Sequence, residues 1–199
     1  ERDQRSLRVI AQQSRRLQQQ IESLLDVSQM RAGRLHLDMR PTDLCRFVER
    51  VVNELQPTLE RHQVTFSCEQ PSLIVQGDEL RLDQVLQNLL QNAVKYSPDG
   101  GEIAVRVLRR GTEAHIEVAD QGIGIPVQAQ ALLFDRFFRA RNATSLGIGG
   151  MGIGLAVVTD IVARHGGRVE VTSVEGEGST FTVCLPEASS PGLSGDGVA

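Results

Sequence analysis

The stretch Gln84-Val-Leu-Gln-Asn-Leu-Leu-Gln-Asn-Ala-Val-Lys-Tyr-Ser97 constrains the fold more than any other. Val85, Leu86, Leu89, Leu90, Ala93 and Val94 recur at helical spacing and face a core. Asn88 and Asn92 are four apart, so they stack one turn above each other on one side of that helix. Asn forms helices poorly because its amide competes for the backbone. Two of them mid-helix, backed by an apolar face, mark a lining as readily as a solvated surface. An Asn oxygen is a neutral ligand that suits a hard cation when phosphate oxygens complete its shell. Lys95, three residues on, can add charge against the same phosphates.

The rest of the chain reads around that helix. Residues 1–32 lack Gly and Pro, and Leu7, Ile10, Ser14, Leu17, Ile21, Leu24 and Ser28 follow a heptad seam. The seam needs a partner helix, since a lone helix is marginal in water. Gly33 closes it, and residues 34–43 read as a linker in which a short strand ends at Pro41. Thr42 or Asp43 can cap a helix from Leu44 to about His62, which Pro57 kinks or breaks. Val64–Cys68 and Leu73–Gln76 are strand-like, and Asp78 is placed to cap the Asn helix. Alternating segments at Glu102–Arg109 and Ala114–Asp120 form one hairpin, and Arg168–Ser173 with Ser179–Leu185 another. Between them lie a short apolar helix around Ala129–Phe134, a Gly-containing loop, and a helix from Gly150 to about His165. Residues 187–199, rich in Ser, Gly and Pro, read as a disordered tail. The order predicts an α+β fold: a two-layer α/β sandwich with a mixed, largely antiparallel sheet and helices on one face, preceded by one long helix. It is not a βαβ dinucleotide pattern, because Gly150-Met-Gly-Ile-Gly154 follows a loop rather than a strand.

Composition narrows the chemistry. A net charge of -4 excludes a general electrostatic pull toward nucleic acid or anionic membrane. No apolar run reaches the ~18 residues of a membrane span. Cys45, Cys68 and Cys184 are widely spaced and read as reduced, packed thiols, which fits a cytoplasmic domain. A membrane anchor elsewhere in a parent protein remains compatible with this.

Three further segments carry chemistry. Asp120 ends a strand and Gly122 and Gly124 follow, so a carboxylate can accept from an exocyclic amine while a flat base approaches the backbone. Each reads equally as a strand end followed by a turn. Gly150, Gly152 and Gly154 lead into a helix N-terminus, whose free N–H groups and dipole suit polyphosphate. Phe134, Phe137 and Phe138 lie between the two glycine clusters, beside Arg139, and can anchor a mobile cover or form a small core cluster.

In this order, Asn88 with Asn92, Asp120-Gln-Gly-Ile-Gly124, Phe134-Asp-Arg-Phe-Phe-Arg139, Gly150-Met-Gly-Ile-Gly-Leu155 and Gly176-Glu-Gly-Ser-Thr-Phe181 resemble the catalytic ATP-binding domain of sensor histidine kinases. That family is grouped with the gyrase-type, chaperone and mismatch-repair ATPases. The resemblance covers residues 1–186, with 44–186 as the catalytic domain and 1–33 as the second helix of a dimerisation hairpin. It implies ATP and Mg²⁺, with Asn92 as metal ligand and Asn88 assisting where the ATPase relatives carry a general-base Glu. Lys95 and Tyr96 would meet phosphate and ribose. Asp120 would hold the adenine amine, with Gly122, Gly124 and Thr180 around it. Residues from about Val127 to Gly149 would form a lid, Arg139 would approach the γ-phosphate, and Gly150, Gly152, Gly154 and Leu155 would line the phosphates. The implied partners are an acceptor-histidine helix, a response-regulator receiver domain and, in the full-length protein, a second copy.

Two departures stand out. Met151 replaces the usual Thr or Ser, and His36, His62, His115 and His165 all lack the family's acceptor context. The four histidines read as structural or surface residues, and the acceptor helix is expected outside this chain. Two other readings compete: an ATPase of the wider superfamily, which Asn88 in the base position opposes, and a degenerate nucleotide-binding or dimerisation module.

Overall fold

Pro41 does not end a strand; it lies inside one. A computed structural model of the chain describes residues 36–188. There, β1 (Arg40–Asp43) pairs antiparallel with β3 (Ile74–Gly77) as a separate two-stranded sheet. A ribbon this narrow is all edge, where a missing N–H is tolerated. The expected helix at 1–33 and the tail from residue 189 lie outside the described residues. Glu187 and Ala188 are ordered against the fold: the Glu187 N–H donates to Thr112 O and the Ala188 N–H to Ile74 O.

Helix α1 (Leu44–Leu55) starts where Asp43 accepts from the Cys45 N–H at 3.0 Å. It ends before Pro57, in a 3-10 turn at Gln56–Thr58. The pyrrolidine ring removes a ladder donor and disfavours helix in the residue before it. β2 (His62–Cys68) follows, then β3, then α2 (Glu79–Tyr96), the Asn helix. β4 (Gly101–Arg110) and β5 (Glu113–Asp120) form the first hairpin. After a loop come two short helices, α3 (Val127–Gln130) and α4 (Arg141–Ser145), the second of which the glycine-bearing sequence does not announce. α5 (Gly154–Arg164), β6 (Arg168–Val174) and β7 (Gly178–Pro186) complete the fold.

The main sheet has the order β2-β4-β5-β7-β6. Only the β2–β4 pair is parallel, because β3 and α2 form the crossover between them. Alternation then decides which side each residue faces. Ile103, Val105 and Val107 of β4, Ile116 and Val118 of β5, and Phe181, Val183 and Leu185 of β7 are buried in one cluster. Val48 and Val51 of α1, Leu86, Leu89 and Leu90 of α2, and Val158, Ile161 and Val162 of α5 join the same cluster. Helices therefore cover one face of a mixed, largely antiparallel sheet, as the sequence predicts.

One side-chain bridge fixes two helices. The buried His165 at the end of α5 donates from Nδ1 to Ile161 O at 2.8 Å, which leaves Nε2 to accept the Asp78 N–H at 3.0 Å. The expectation of three reduced thiols is corrected here. Cys45 and Cys68 form a disulfide between α1 and β2, with Cα atoms 5.8 Å apart, and only Cys184 is free. The pair has a sequence separation of 23, and spacing alone does not report their proximity. Among the described residues, no helix is long and apolar enough to cross a membrane.

Candidate functional site

A cavity of about 450 Å³ opens between α2, the end of β5, the 134–153 segment and the start of α5. Asn88, Asn92, Lys95, Tyr96, Asp120, Gly124, Arg139, Gly150, Gly152, Gly154 and Leu155 all line it. The helical stacking of the two asparagines brings both to the same wall. The Asn88 Nδ2 donates to Gln84 O at 2.8 Å, one turn back along α2. This turns its Oδ1 toward α5, where a Cβ on Gly154 would stand 2.8 Å from it. A residue with a side chain at 154 would fill the gap between the helices; glycine leaves an oxygen facing it. Among the described residues the Asn92 amide makes no hydrogen bond, and it sits half-buried on the same wall.

Asp120 closes the other end. Its carboxylate is 9% exposed, and Oδ1 accepts the Gly122 N–H at 2.9 Å. Burial raises this carboxyl above its ordinary value, and backbone N–H groups of Gly122 and Ser179 pull it part of the way back. Around it, Ile123, Ile125, Leu133 and Phe181 give an apolar floor suited to a flat ring. Gly124 has φ +59°, and a Cβ there would lie 1.9 Å from Val174 O, so only glycine fits this approach to the sheet edge.

The helix that opens at this site starts differently from the two longer helices α1 and α2. No side chain caps α5, whereas Asp43 and Asp78 cap α1 and α2. Its first N–H groups therefore have no side-chain partner and point toward the glycine loop. Lys95 Nζ reaches the same loop, 2.6 Å from where a Gly150 Cβ would be, and it bonds Tyr96 Oη at 3.0 Å. The segment expected as a lid folds over this region. Asn142 of α4 donates to Gly124 O at 3.0 Å, and Phe137, at φ 66°, donates its N–H to Gly152 O at 2.8 Å. Arg139 donates to Ile148 O, while its buried Nε has no partner among the described residues.

Two expected residues do not line the cavity. Thr180 points to the other face of β7, and Ser179 takes its place, because residues two before the inward Phe181 share its side. Gly122 instead borders a shallower hollow beside Ser97 and acts by holding Asp120. Strand parity, counted from Phe181, was the signal for Ser179. For Asn142 and Ala143, which also line the cavity, no motif exists. Met151 lines it too and packs against the core.

The donor set fits a hard cation held with phosphate: two neutral amides a turn apart on one wall, with the Asn88 oxygen facing an uncapped helix end across a gap that glycine leaves free.

Residues 77–189 match the family model described as histidine kinase-, DNA gyrase B- and HSP90-like ATPase. The circadian input-output histidine kinase CikA of Synechococcus elongatus is 36% identical over 94% of this chain and 25% of its own length. The sensor-like histidine kinase SenX3 of Mycolicibacterium smegmatis is 34% identical over 90% of this chain and 47% of its own. The chain thus spans between a quarter and a half of these curated relatives. Among solved structures, the mycobacterial sensor histidine kinase MprB superposes with a TM-score of 0.65 at 30% identity, over 75% of this chain and 97% of that one. Full-length ShkA in complex with AMPPNP gives 0.76 at 27% identity, over 88% of this chain and 36% of that one. The chain belongs to the histidine kinase-, DNA gyrase B- and HSP90-like ATPase family, as a catalytic ATP-binding domain of the sensor histidine kinase type.

Proposed function

We propose that this domain binds Mg²⁺–ATP and transfers its γ-phosphoryl group to a histidine supplied from outside these 199 residues. The observation that carries this is the pairing, in one cavity, of a buried acceptor, Asp120, with an uncapped helix N-terminus, that of α5. Asp120 accepts from the adenine amine, and the apolar floor takes the ring. The α5 N-terminus and Lys95 hold the phosphates by dipole and charge. Asn92 and Asn88 offer their oxygens to Mg²⁺, which supplies charge neutralisation at the phosphates when bound. The free Nε of Arg139 turns toward the transferring group as the lid segment closes. Such a site works by positioning and electrostatics rather than covalent chemistry.

Asn88 separates transfer from hydrolysis. Its amide nitrogen is committed to Gln84 O, and an amide oxygen is too weak a base to activate water. The four histidines are elsewhere: His62 bonds Ser97 O, His165 bridges α5 to Asp78, His115 sits on the outer sheet face, and His36 precedes β1. The acceptor is therefore a histidine on a partner helical hairpin; a receiver domain downstream and a homodimeric parent complete this reading. The AMPPNP complex of ShkA supports the nucleotide class.

Radiolabelled ATP tests this. The chain alone should take up no acid-labile phosphate, and an added hairpin carrying the acceptor histidine should become labelled. Rapid phosphate release without label on the hairpin would make the domain an ATPase. Nucleotide binding with neither would make it a degenerate module.

A further inference from the structure

The outer face of the main sheet, opposite the nucleotide cavity, holds a second cluster. His115 of β5 and Cys184 of β7 are direct cross-strand partners. Glu113, two residues before His115, shares its face. Their ligand atoms, a carboxylate oxygen, an imidazole nitrogen and the thiol sulfur, all lie within 4.8 Å of one another. His115 Nε2 is 3.3 Å from Glu113 Oε2. These are three different ligand types converging from two rigid strands, with Cys184 fully buried and Glu113 open enough to admit an ion.

We infer that Glu113, His115 and Cys184 form a binding site for a borderline-soft divalent cation of the Zn²⁺ class, with water in the fourth position. Mixed S, N and O ligation selects such a cation over Mg²⁺ or Ca²⁺. A tetrahedral site needs its ligand atoms about 3.3–3.6 Å apart, given bond lengths of about 2.0–2.3 Å. The present separations call for a contraction of at most about 1.5 Å at the widest edge, within reach of a side-chain adjustment. Arg168 already donates to Glu113 Oε1, which fixes the carboxylate and leaves Oε2 directed at His115. A ligating carboxylate held by an outer partner is the usual arrangement at a metal centre. A cysteine without a metal carries its sulfur mainly as the thiol at neutral pH. Binding forms the metal–sulfur bond as the S–H bond breaks, and the proton leaves to solvent. The bound ion would link β5 to β7.

Co²⁺ titrated into the chelator-treated 199-residue chain tests this. We expect one equivalent to give a thiolate-to-cobalt charge-transfer band and the strong visible bands of a tetrahedral ion, both displaced by Zn²⁺. Cys184→Ala should abolish the charge-transfer band. His115→Gln and Glu113→Gln should each weaken Zn²⁺ binding by about 10- to 100-fold, the loss usual for a perturbed metal shell. Zn²⁺ should raise the melting temperature of the wild type but not of Cys184→Ala. Metal-free melting and ADP affinity of each variant serve as folding controls, since none of the three residues touches the nucleotide cavity. No charge-transfer band in the wild type overturns the site. So does a band that survives Cys184→Ala, or one that both other variants leave untouched.

Discussion

Asp78 and Asp120 are equally buried, each 9% exposed, yet they do different work. Each accepts a backbone N–H just downstream, from Arg81 at 3.2 Å and from Gly122 at 2.9 Å. Asp78 spends the rest of its hydrogen-bonding capacity inside the protein. Its second oxygen accepts the Asp38 N–H at 3.0 Å, and its own N–H goes to His165. Asp120 faces a cavity, and among the described residues no Lys or Arg pairs with it. A carboxylate held out of water without a counter-charge works against stability; it persists where a ligand supplies the missing partner. Burial alone does not separate a structural aspartate from a binding one. The pattern of partners does.

The largest expected effect is Asp120→Asn. The adenine amine then meets a group that also presents donors, and a buried bond is lost at about 1–3 kcal/mol, or about 5- to 150-fold in ADP affinity. The melting temperature should not fall, because the substitution removes a buried charge. Calorimetry and thermal melting on the same preparations check both halves. An unchanged affinity would take Asp120 out of the adenine site.

His165→Leu attacks the other aspartate's surroundings. It strips the acceptor from the buried Asp78 N–H, a cost of about 1–3 kcal/mol in unfolding free energy. Denaturant unfolding should show that loss with nucleotide affinity unchanged. Asp78→Asn is milder. Asn caps a helix about as well as Asp, so one oxygen keeps Arg81 N–H while the other position turns its amide on Asp38 N–H. The expected loss is about 0.5–1.5 kcal/mol, again without change in binding. Asp78→Asn and Asp120→Asn are the same chemical change at the same burial; equal effects on ADP affinity would erase the distinction drawn between them.

The sequence shows both aspartates, but not for the same reason. Asp78 reads as a cap because a helix-periodic run follows it, and Asp120 as a site because two glycines follow a strand. Hairpins and the Asn wall were legible too, since alternation and helical spacing are local. What escaped was non-local or depended on parity. Pairing of β1 with β3 brings together residues far apart in the chain, Arg40 with Gly77 at one end and Asp43 with Ile74 at the other, and makes Pro41 harmless. The Cys45–Cys68 bond arises from the packing of α1 on β2, and the His115↔Cys184 neighbourhood from strand order; no spacing rule contains either. Thr180 in place of Ser179 was an error of one residue, and in a strand one residue reverses the face. The short helix α4 formed within a glycine-bearing loop because Ala143 found a buried place and Asn142 an acceptor at Gly124.

The smallest effect is the response of Asp120 to acid. Burial holds the folded-state carboxyl of Asp120 above its unfolded value, against the pull of Gly122 and Ser179. An ionised Asp120 therefore subtracts from stability above the unfolded value, and that penalty fades as pH falls through the folded one. Protonation at the same point replaces an acceptor by a hydroxyl donor facing the adenine amine, so nucleotide affinity falls while this one contribution to stability recovers. Other carboxylates titrate in the same range, so the quantity to follow is wild type minus Asp120→Asn. Across a descending pH series the wild-type advantage in ADP affinity should shrink, and any melting-temperature deficit relative to the variant should shrink with it. If the two differences moved in opposite directions, or the affinity difference stayed flat, the carboxylate would not be the group that reads the base.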